Sequence, residues 1–172
     1  VYFKEISAPE GYDKSTQVVS ATVVANTTTY ASTKIVDNRQ GWIRVYKYDD
    51  SGARLGAGYV FGVYTDKACT NKVNTITTNA DGYCASDYLT AGTYYVKETG
   101  IPSTDKTHKL NTTVYTVNVP KGTYVAVNSG KFVNELMRGN GTVTKTSEDG
   151  VVEGFTFKLS GTSLSGEAVS LT

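Results

Sequence analysis

The 172-residue chain carries 17 Lys and Arg against 16 Asp and Glu, a formal net charge of +1. That balance supplies neither the basic face that nucleic acid requires nor an acidic tail. No apolar run approaches the roughly 20 residues of a membrane-spanning helix. One His and two Cys are too few for a multi-ligand transition-metal site, so no metal or other cofactor is expected. No HExxH, GxSxG, GxGxxG or P-loop pattern occurs, and turnover catalysis is not expected. The chain opens at Val1 without a charged-then-apolar leader and reads as a piece of something longer.

Thr, Val and 13 Tyr, punctuated by 17 Gly, predict an all-β protein. In chain order the strand candidates are 42–48, 59–64, 74–78, 83–86, 92–99, 112–119 and 124–134. Turn signals separate them at Asp49-Asp-Ser-Gly52, Asn79-Ala-Asp-Gly82, Leu89-Thr-Ala-Gly92 and Pro120-Lys-Gly122. Seven short strands in under 100 residues predict an antiparallel β-sandwich.

The flanks repeat parts of that unit. Val1-Tyr-Phe-Lys-Glu5 aligns with Tyr94-Tyr-Val-Lys-Glu98, 93 positions on; Lys34-Ile-Val-Asp37 aligns with Lys131-Phe-Val-Asn134, 97 on. Ile43-Arg-Val-Tyr-Lys47 aligns with Gly141-Thr-Val-Thr-Lys145, 98 on, and Gly58-Tyr-Val-Phe61 with Gly154-Phe-Thr-Phe157. Three landmarks sharing one period predict tandem sandwiches, one complete and two partial. Residues 41–135 form the whole unit, 1–38 the C-terminal part of another, and 139–172 the N-terminal part of a third.

Period-two alternation puts polar groups on apolar faces. Lys47 is in phase with Ile43 and Val45, Glu98 with Tyr94 and Val96, and Asn134 with Phe132. In the flanks Glu5 follows Val1 and Phe3, Asp37 follows Ile35, and Lys145 follows Val143. Two readings stay open on phase alone. These are either strand-end side chains that reach back to water or form a salt bridge, or a reactive set. A desolvated Lys is a nucleophile and a desolvated Glu a proton carrier, so Lys47 attacking the Asn134 amide would expel ammonia and leave an isopeptide bond.

The same residues carry a family resemblance. Tyr-Val-Lys-Glu98 followed by Pro102, the opening Ile43-Arg-Val-Tyr-Lys47-Tyr-Asp49, Leu55-Gly-Ala-Gly-Tyr-Val-Phe61 and the closing Phe-Val-Asn134 resemble the Cna-B-type (prealbumin-like, SpaA-type) domains of Gram-positive surface pilins and adhesins. Phe3-Lys-Glu5-Ile-Ser-Ala-Pro9 resembles their glutamate box, and Thr144-Lys145 with Gly154-Phe-Thr-Phe157 resembles the start of another copy. The resemblance implies tandem Ig-like sandwiches with self-made Lys–Asn or Lys–Asp cross-links. Lys47 would be nucleophile, Glu98 catalyst and Asn134 electrophile. In the leading part Glu5 would be catalyst, with Asp37 preferred over Asn38 as electrophile, and Lys145 would be the nucleophile of the trailing part. It further implies a shaft module on the cell wall-attached, extracellular surface of a Gram-positive bacterium. Its partners would be neighbouring copies of the repeat in a fibre and, through other parts of the protein, the cell wall and a host or dietary ligand. Two other readings are an adhesive domain that binds such a ligand directly and a plain Ig-like spacer without a cross-link. In an extracellular setting Cys69 and Cys84, 15 positions apart, are expected to form a disulfide; two reduced thiols are the alternative.

Overall fold

The computed structural model describes residues 1–164 and 166–172. Its elements are strands and one 3-10 turn, with no α-helix among the described residues. The leading segment holds β1 (Tyr2–Lys4), β2 (Tyr12–Asp13), β3 (Val18–Ser20) and β4 (Asn38–Arg39). The central part holds β5 (Trp42–Asp49), β6 (Val60–Tyr64), β7 (Lys72–Thr77), β8 (Tyr83–Ala85), β9 (Gly92–Gly100), β10 (Tyr115–Val119), β11 (Tyr124–Ala126) and β12 (Phe132–Asn134). A hairpin of β13 (Leu159–Thr162) and β14 (Ala168–Leu171) follows.

The central strands form two sheets. One has the order β10-β9-β6-β7; in the other β5 lies between β11 and β12 on one side and β8 on the other. Alternation decides which side chains meet between them. On β5 every second residue is buried, so Ile43, Val45, Lys47 and Asp49 face inward while Trp42, Arg44, Tyr46 and Tyr48 face out. Phe61 and Val63 of β6, Val96 of β9 and Val117 and Val119 of β10 fill the space opposite, and Phe132 of β12 joins them from the β5 sheet itself. Phe132 packs edge-on against Phe61 and Tyr115, with ring centroids 4.8 and 4.9 Å away. Such edge-on aromatic pairs add about 0.5–1.5 kcal/mol each to the burial of the aliphatic side chains around them.

Two features depart from the sequence expectation. The last candidate, 124–134, is broken in two by a 3-10 turn at Val127–Gly130, where Asn128 (φ 48°), Ser129 (φ 53°) and Gly130 (φ 89°) take left-handed conformations. The sandwich is also not purely antiparallel, because β11 and β12 both run parallel to β5, with Phe132 opposite Lys47 and Asn134 opposite Asp49. First and last strands of the sandwich are therefore parallel neighbours, and the chain enters at one end of β5 and leaves at the other.

The β7–β8 turn fixes the far side of β5. Gly82 (φ 63°) closes it by donating to the Asn79 carbonyl at 2.9 Å, and its own carbonyl accepts the amide of Lys47 at 2.8 Å. A Cβ at position 82 would collide with the Leu55 carbonyl oxygen. The left-handed backbone alone costs a non-glycine residue about 1–2 kcal/mol, and each kcal/mol is worth about 4–8 °C in a domain of this size. Gly82→Ala is therefore expected to lower the unfolding midpoint by at least that much in calorimetry; an unchanged midpoint contradicts the packing described.

Candidate cross-linking site

Three strands deliver three polar side chains to one dry point in the core. Lys47 comes from β5, Asn134 from the parallel β12 beside it, and Glu98 from β9 across the sandwich. All three are 0% exposed. Glu98 joins the other two: its Oε1 lies 3.7 Å from Lys47 Nζ and accepts from Asn134 Nδ2 at 3.1 Å. Its Oε2 accepts the backbone amide of Asn111 at 2.8 Å, which fixes the carboxyl plane. Lys47 Nζ also donates to the Tyr48 and Phe132 carbonyls at 3.3 and 3.4 Å. It lies 5.1 Å from the ring centre of Tyr59 and 5.4 Å from that of Phe132, which wall it from water. Asn134 Oδ1 is buried without a hydrogen-bond partner.

Burial works on both ionisable groups in the same sense. It pulls the Lys47 pKa down to about 8, against the pull of the Glu98 charge. It raises that of Glu98, against the Asn111 amide, the Lys47 charge and the Asn134 hydrogen bond. In water the two groups are separated by about 6 pKa units. Here the gap narrows from both sides, so moving a proton from ammonium to carboxylate costs less. An amine that can be neutral, an acid that can be protonated and an amide bonded to that acid are the components of an acyl transfer.

Residues that the sequence did not single out complete the surroundings. Asn111 orients Glu98 and also donates from Nδ2 to the Val133 carbonyl at 2.8 Å, tying the 101–114 loop to β12. That loop shortens β10, which begins at Tyr115 and not at Thr112. Tyr59 Oη donates to Asp105 Oδ2 at 2.5 Å, and Asp105 also holds His108 Nδ1 at 2.9 Å. Burial would raise the Asp105 pKa, but donors from Tyr59, Thr107 and His108 outweigh it and hold the carboxyl well below the usual range. The short Asp105-Lys-Thr107-His108 run was a local signal for this turn, but nothing in it pointed to Tyr59 or to the core lysine.

The flanking residues are placed differently. Glu5 is half-buried and its Oε2 accepts the Ser15 amide at 2.7 Å. Asp37 is half-buried with Oδ1 unpartnered, while the exposed Asn38 accepts from Lys121 Nζ at 2.6 Å. Lys145 Nζ sits 4.3 Å from the ring centre of Phe155. Among the described residues no ion pair joins it to Glu5 or Asp37. No group of His, Cys, Asp and Glu suited to a metal occurs among them, and no helix is long and apolar enough to cross a membrane.

The expected disulfide is not present: Cys69 and Cys84 are both free. The reason is topological. Cys69 (φ 57°) lies in the turn between β6 and β7, whereas Cys84 sits on β8 in the other sheet, opposite Val45, with its side chain in the core. Burial pushes the Cys84 thiol up to about 12, which leaves it protonated and unreactive at neutral pH. Titration of the native chain with a thiol reagent should therefore give one fast equivalent, from Cys69, and two after unfolding. Two fast equivalents, or none after unfolding, contradict this arrangement.

The family model of the SpaA prealbumin-like fold domain matches residues 41–131. No curated protein matches the chain. Among solved structures, the minor pilin GBS52 of Streptococcus agalactiae is similar at 16% identity and a TM-score of 0.50, over 81% of this chain and 66% of that one. The Bacillus anthracis TIE protein is similar at 17% identity and a TM-score of 0.47, over 78% of this chain and 24% of that one. The backbone pilin of Streptococcus pyogenes shares 30% identity at a TM-score of 0.43, over 60% of this chain and 20% of that one. The chain thus spans between a fifth and just under two thirds of these proteins, and the likeness to the minor pilin is one of fold. Because the family match covers more than half of the chain and includes the strands that carry Lys47 and Glu98, the chain belongs to the SpaA prealbumin-like fold domain family.

Proposed function

We propose that the chain is a shaft module of a Gram-positive cell-surface pilus or adhesin, and that an isopeptide bond between Lys47 and Asn134, made by the protein itself, stiffens it. The observation that carries the reading is the position of Glu98 Oε1, 3.7 Å from Lys47 Nζ and 3.1 Å from Asn134 Nδ2 in a core without exposed surface. A carboxyl so placed can take a proton from one nitrogen and give it to the other.

Glu98 accepts a proton from the Lys47 ammonium, and the free electron pair of Nζ attacks Asn134 Cγ. Glu98 gives that proton to Nδ2 and takes the second proton from Nζ, the Cγ–Nδ2 bond breaks, and ammonia leaves as the Nζ–Cγ amide forms, with Glu98 left protonated. The reaction happens once per molecule, so the chain is not a turnover enzyme. In the fibre, neighbouring repeats of the same kind are the partners, and the extracellular cell wall-attached surface is the setting. Tension that enters at β5 would pass through the bond to β12 and bypass the residues between.

Intact mass of the full chain should be short by one ammonia, about 17 Da. Glu98→Ala should restore the full mass; a full mass in the native chain, or a deficit that persists in Glu98→Ala, contradicts the mechanism. The reactive form of the Lys47–Glu98 pair carries one proton, on Glu98. A second proton, gained in acid, locks the ammonium; loss of the only proton, above about pH 8 by the Lys47 value, leaves no acid for the leaving group. Refolding the freshly unfolded, uncrosslinked chain across a pH series should give a bell-shaped rate of mass loss that declines above about pH 8. A rate that keeps rising to pH 10 would remove Glu98 as the acid.

A further inference from the structure

The outward row of β5 carries rings and a cation where an exposed strand would ordinarily carry small polar residues. Trp42, Arg44, Tyr46 and Tyr48 point away from the core. Trp42 meets Tyr88 edge-on at 5.7 Å, with the ring planes 85° apart, and Tyr124 at 6.0 Å. The Arg44 guanidinium lies over Tyr124 of β11, 3.7 Å from its ring centre. On the other side of β5, Ala85 of β8 stands opposite Arg44. It offers a methyl beside rows that carry rings, and a cleft of about 490 Å³ opens there, lined by Glu10, Trp42, Ala85, Ser86, Asp87 and Tyr88. That volume is within the range of small-molecule sites.

Hydrogen bonds fix the walls. Ser86 Oγ accepts the Ile43 amide at 3.0 Å and donates to the Asp87 carbonyl at 2.7 Å. Asp87 Oδ2 accepts from Asn74 Nδ2 at 2.6 Å, and a carboxylate so held still has acceptor capacity to spare. Gly11 brings Glu10 to the cleft: a Cβ at Gly11 would lie 3.7 Å from the Tyr88 ring, and the Gly11 carbonyl accepts the Gln40 amide at 2.7 Å. Asp13 Oδ1 accepts from Thr90 Oγ1 at 2.6 Å and from Gln40 Nε2 at 2.9 Å, which ties the same turn to the sandwich.

Charge decides what the cleft can take. Glu10 and Asp87 repel an anion. A cation would meet the Arg44 guanidinium, already 5.7 Å from the Trp42 ring centre and drawing on the same ring. An apolar partner would strip water from two carboxylates and pair them with nothing. A neutral polyhydroxylated ring meets all three conditions. Its C–H face packs on an aromatic wall, and its hydroxyls donate to the carboxylates as charge-assisted hydrogen bonds. We propose that this cleft binds an uncharged hexopyranose unit of a glycan, with Trp42 and Tyr88 as apolar walls and Glu10 and Asp87 as acceptors. The site lies on the outer face of the sandwich and does not rest on the Lys47–Asn134 reading.

Trp42 is the one tryptophan of the chain, so its fluorescence reports on the cleft directly. The full chain, titrated separately with maltose, cellobiose, lactose and diacetylchitobiose, should show with at least one of them a saturable change in emission that added salt does not alter. Tyr88→Phe should keep the response. Tyr88→Ala, Asp87→Ala and Glu10→Gln should each weaken the affinity by about tenfold, the equivalent of one such contact. The unfolding midpoint of each variant is measured alongside, and Glu10→Gln, outside the central sandwich, keeps the test decisive if Tyr88→Ala does not fold. No saturable change with any of these sugars overturns the proposal. So does a stronger response to choline or to sialyllactose, or an affinity that Asp87→Ala and Glu10→Gln both leave unchanged.

Discussion

A lysine side chain with no exposed surface, placed among aromatic rings, is the constraint on which the rest of the sandwich depends. Stranding an ammonium in such a place costs several kcal/mol unless it is neutralised or paired. The fold meets that cost with Glu98, and so buries a second charge that must itself be satisfied. The Asn111 amide and the Asn134 side chain then serve Glu98, and the 101–114 loop closes over the strand ends to bring Asn111 there. As an ion pair alone, this arrangement would be a poor source of stability, since a well-packed apolar core of equal volume does as well or better. Converting the pair and the amide into one neutral amide removes both buried charges. On that account the polar core is a precursor that the proposed reaction consumes.

The parallel pairing of β5 with β12 gives the proposed bond its mechanical meaning. Were the last strand antiparallel to the first, both chain ends would leave from one side and tension would unzip the pair. In the observed register Phe132 lies opposite Lys47 and Asn134 opposite Asp49, so pulling shears the two strands along their length. A cross-link between them closes a loop of 87 residues. In the chain-entropy picture of cross-links such a closure is worth about 4–5 kcal/mol, a large part of a small domain's total stability.

Much of this was legible in the sequence, for a physical reason. Period-two alternation is imposed by the backbone, so Ile43, Val45 and Lys47 had to share a face whatever else surrounded them, and Glu98 and Asn134 were placed by the same rule. Alternation says nothing about which strand lies beside which. Parallel β11 and β12 were therefore missed, as was the break at Asn128 and Ser129, where non-glycine residues take left-handed angles that tertiary packing imposes. Asn111 escaped notice because its contribution is made by a backbone amide, which every residue type carries. The thiols were misjudged because spacing along the chain does not report that Cys69 falls in the β6–β7 turn while Cys84 sits on β8 in the other sheet.

The central claim is a bond between two named atoms, and the most direct measurement is peptide mapping of the native chain by tandem mass spectrometry after complete proteolysis. The account predicts a branched peptide in which the segment around Lys47 is joined to the segment around Asn134 through an amide, with neither linear peptide recovered in quantity. Recovery of both linear peptides with an unmodified Lys47 and Asn134 would contradict it.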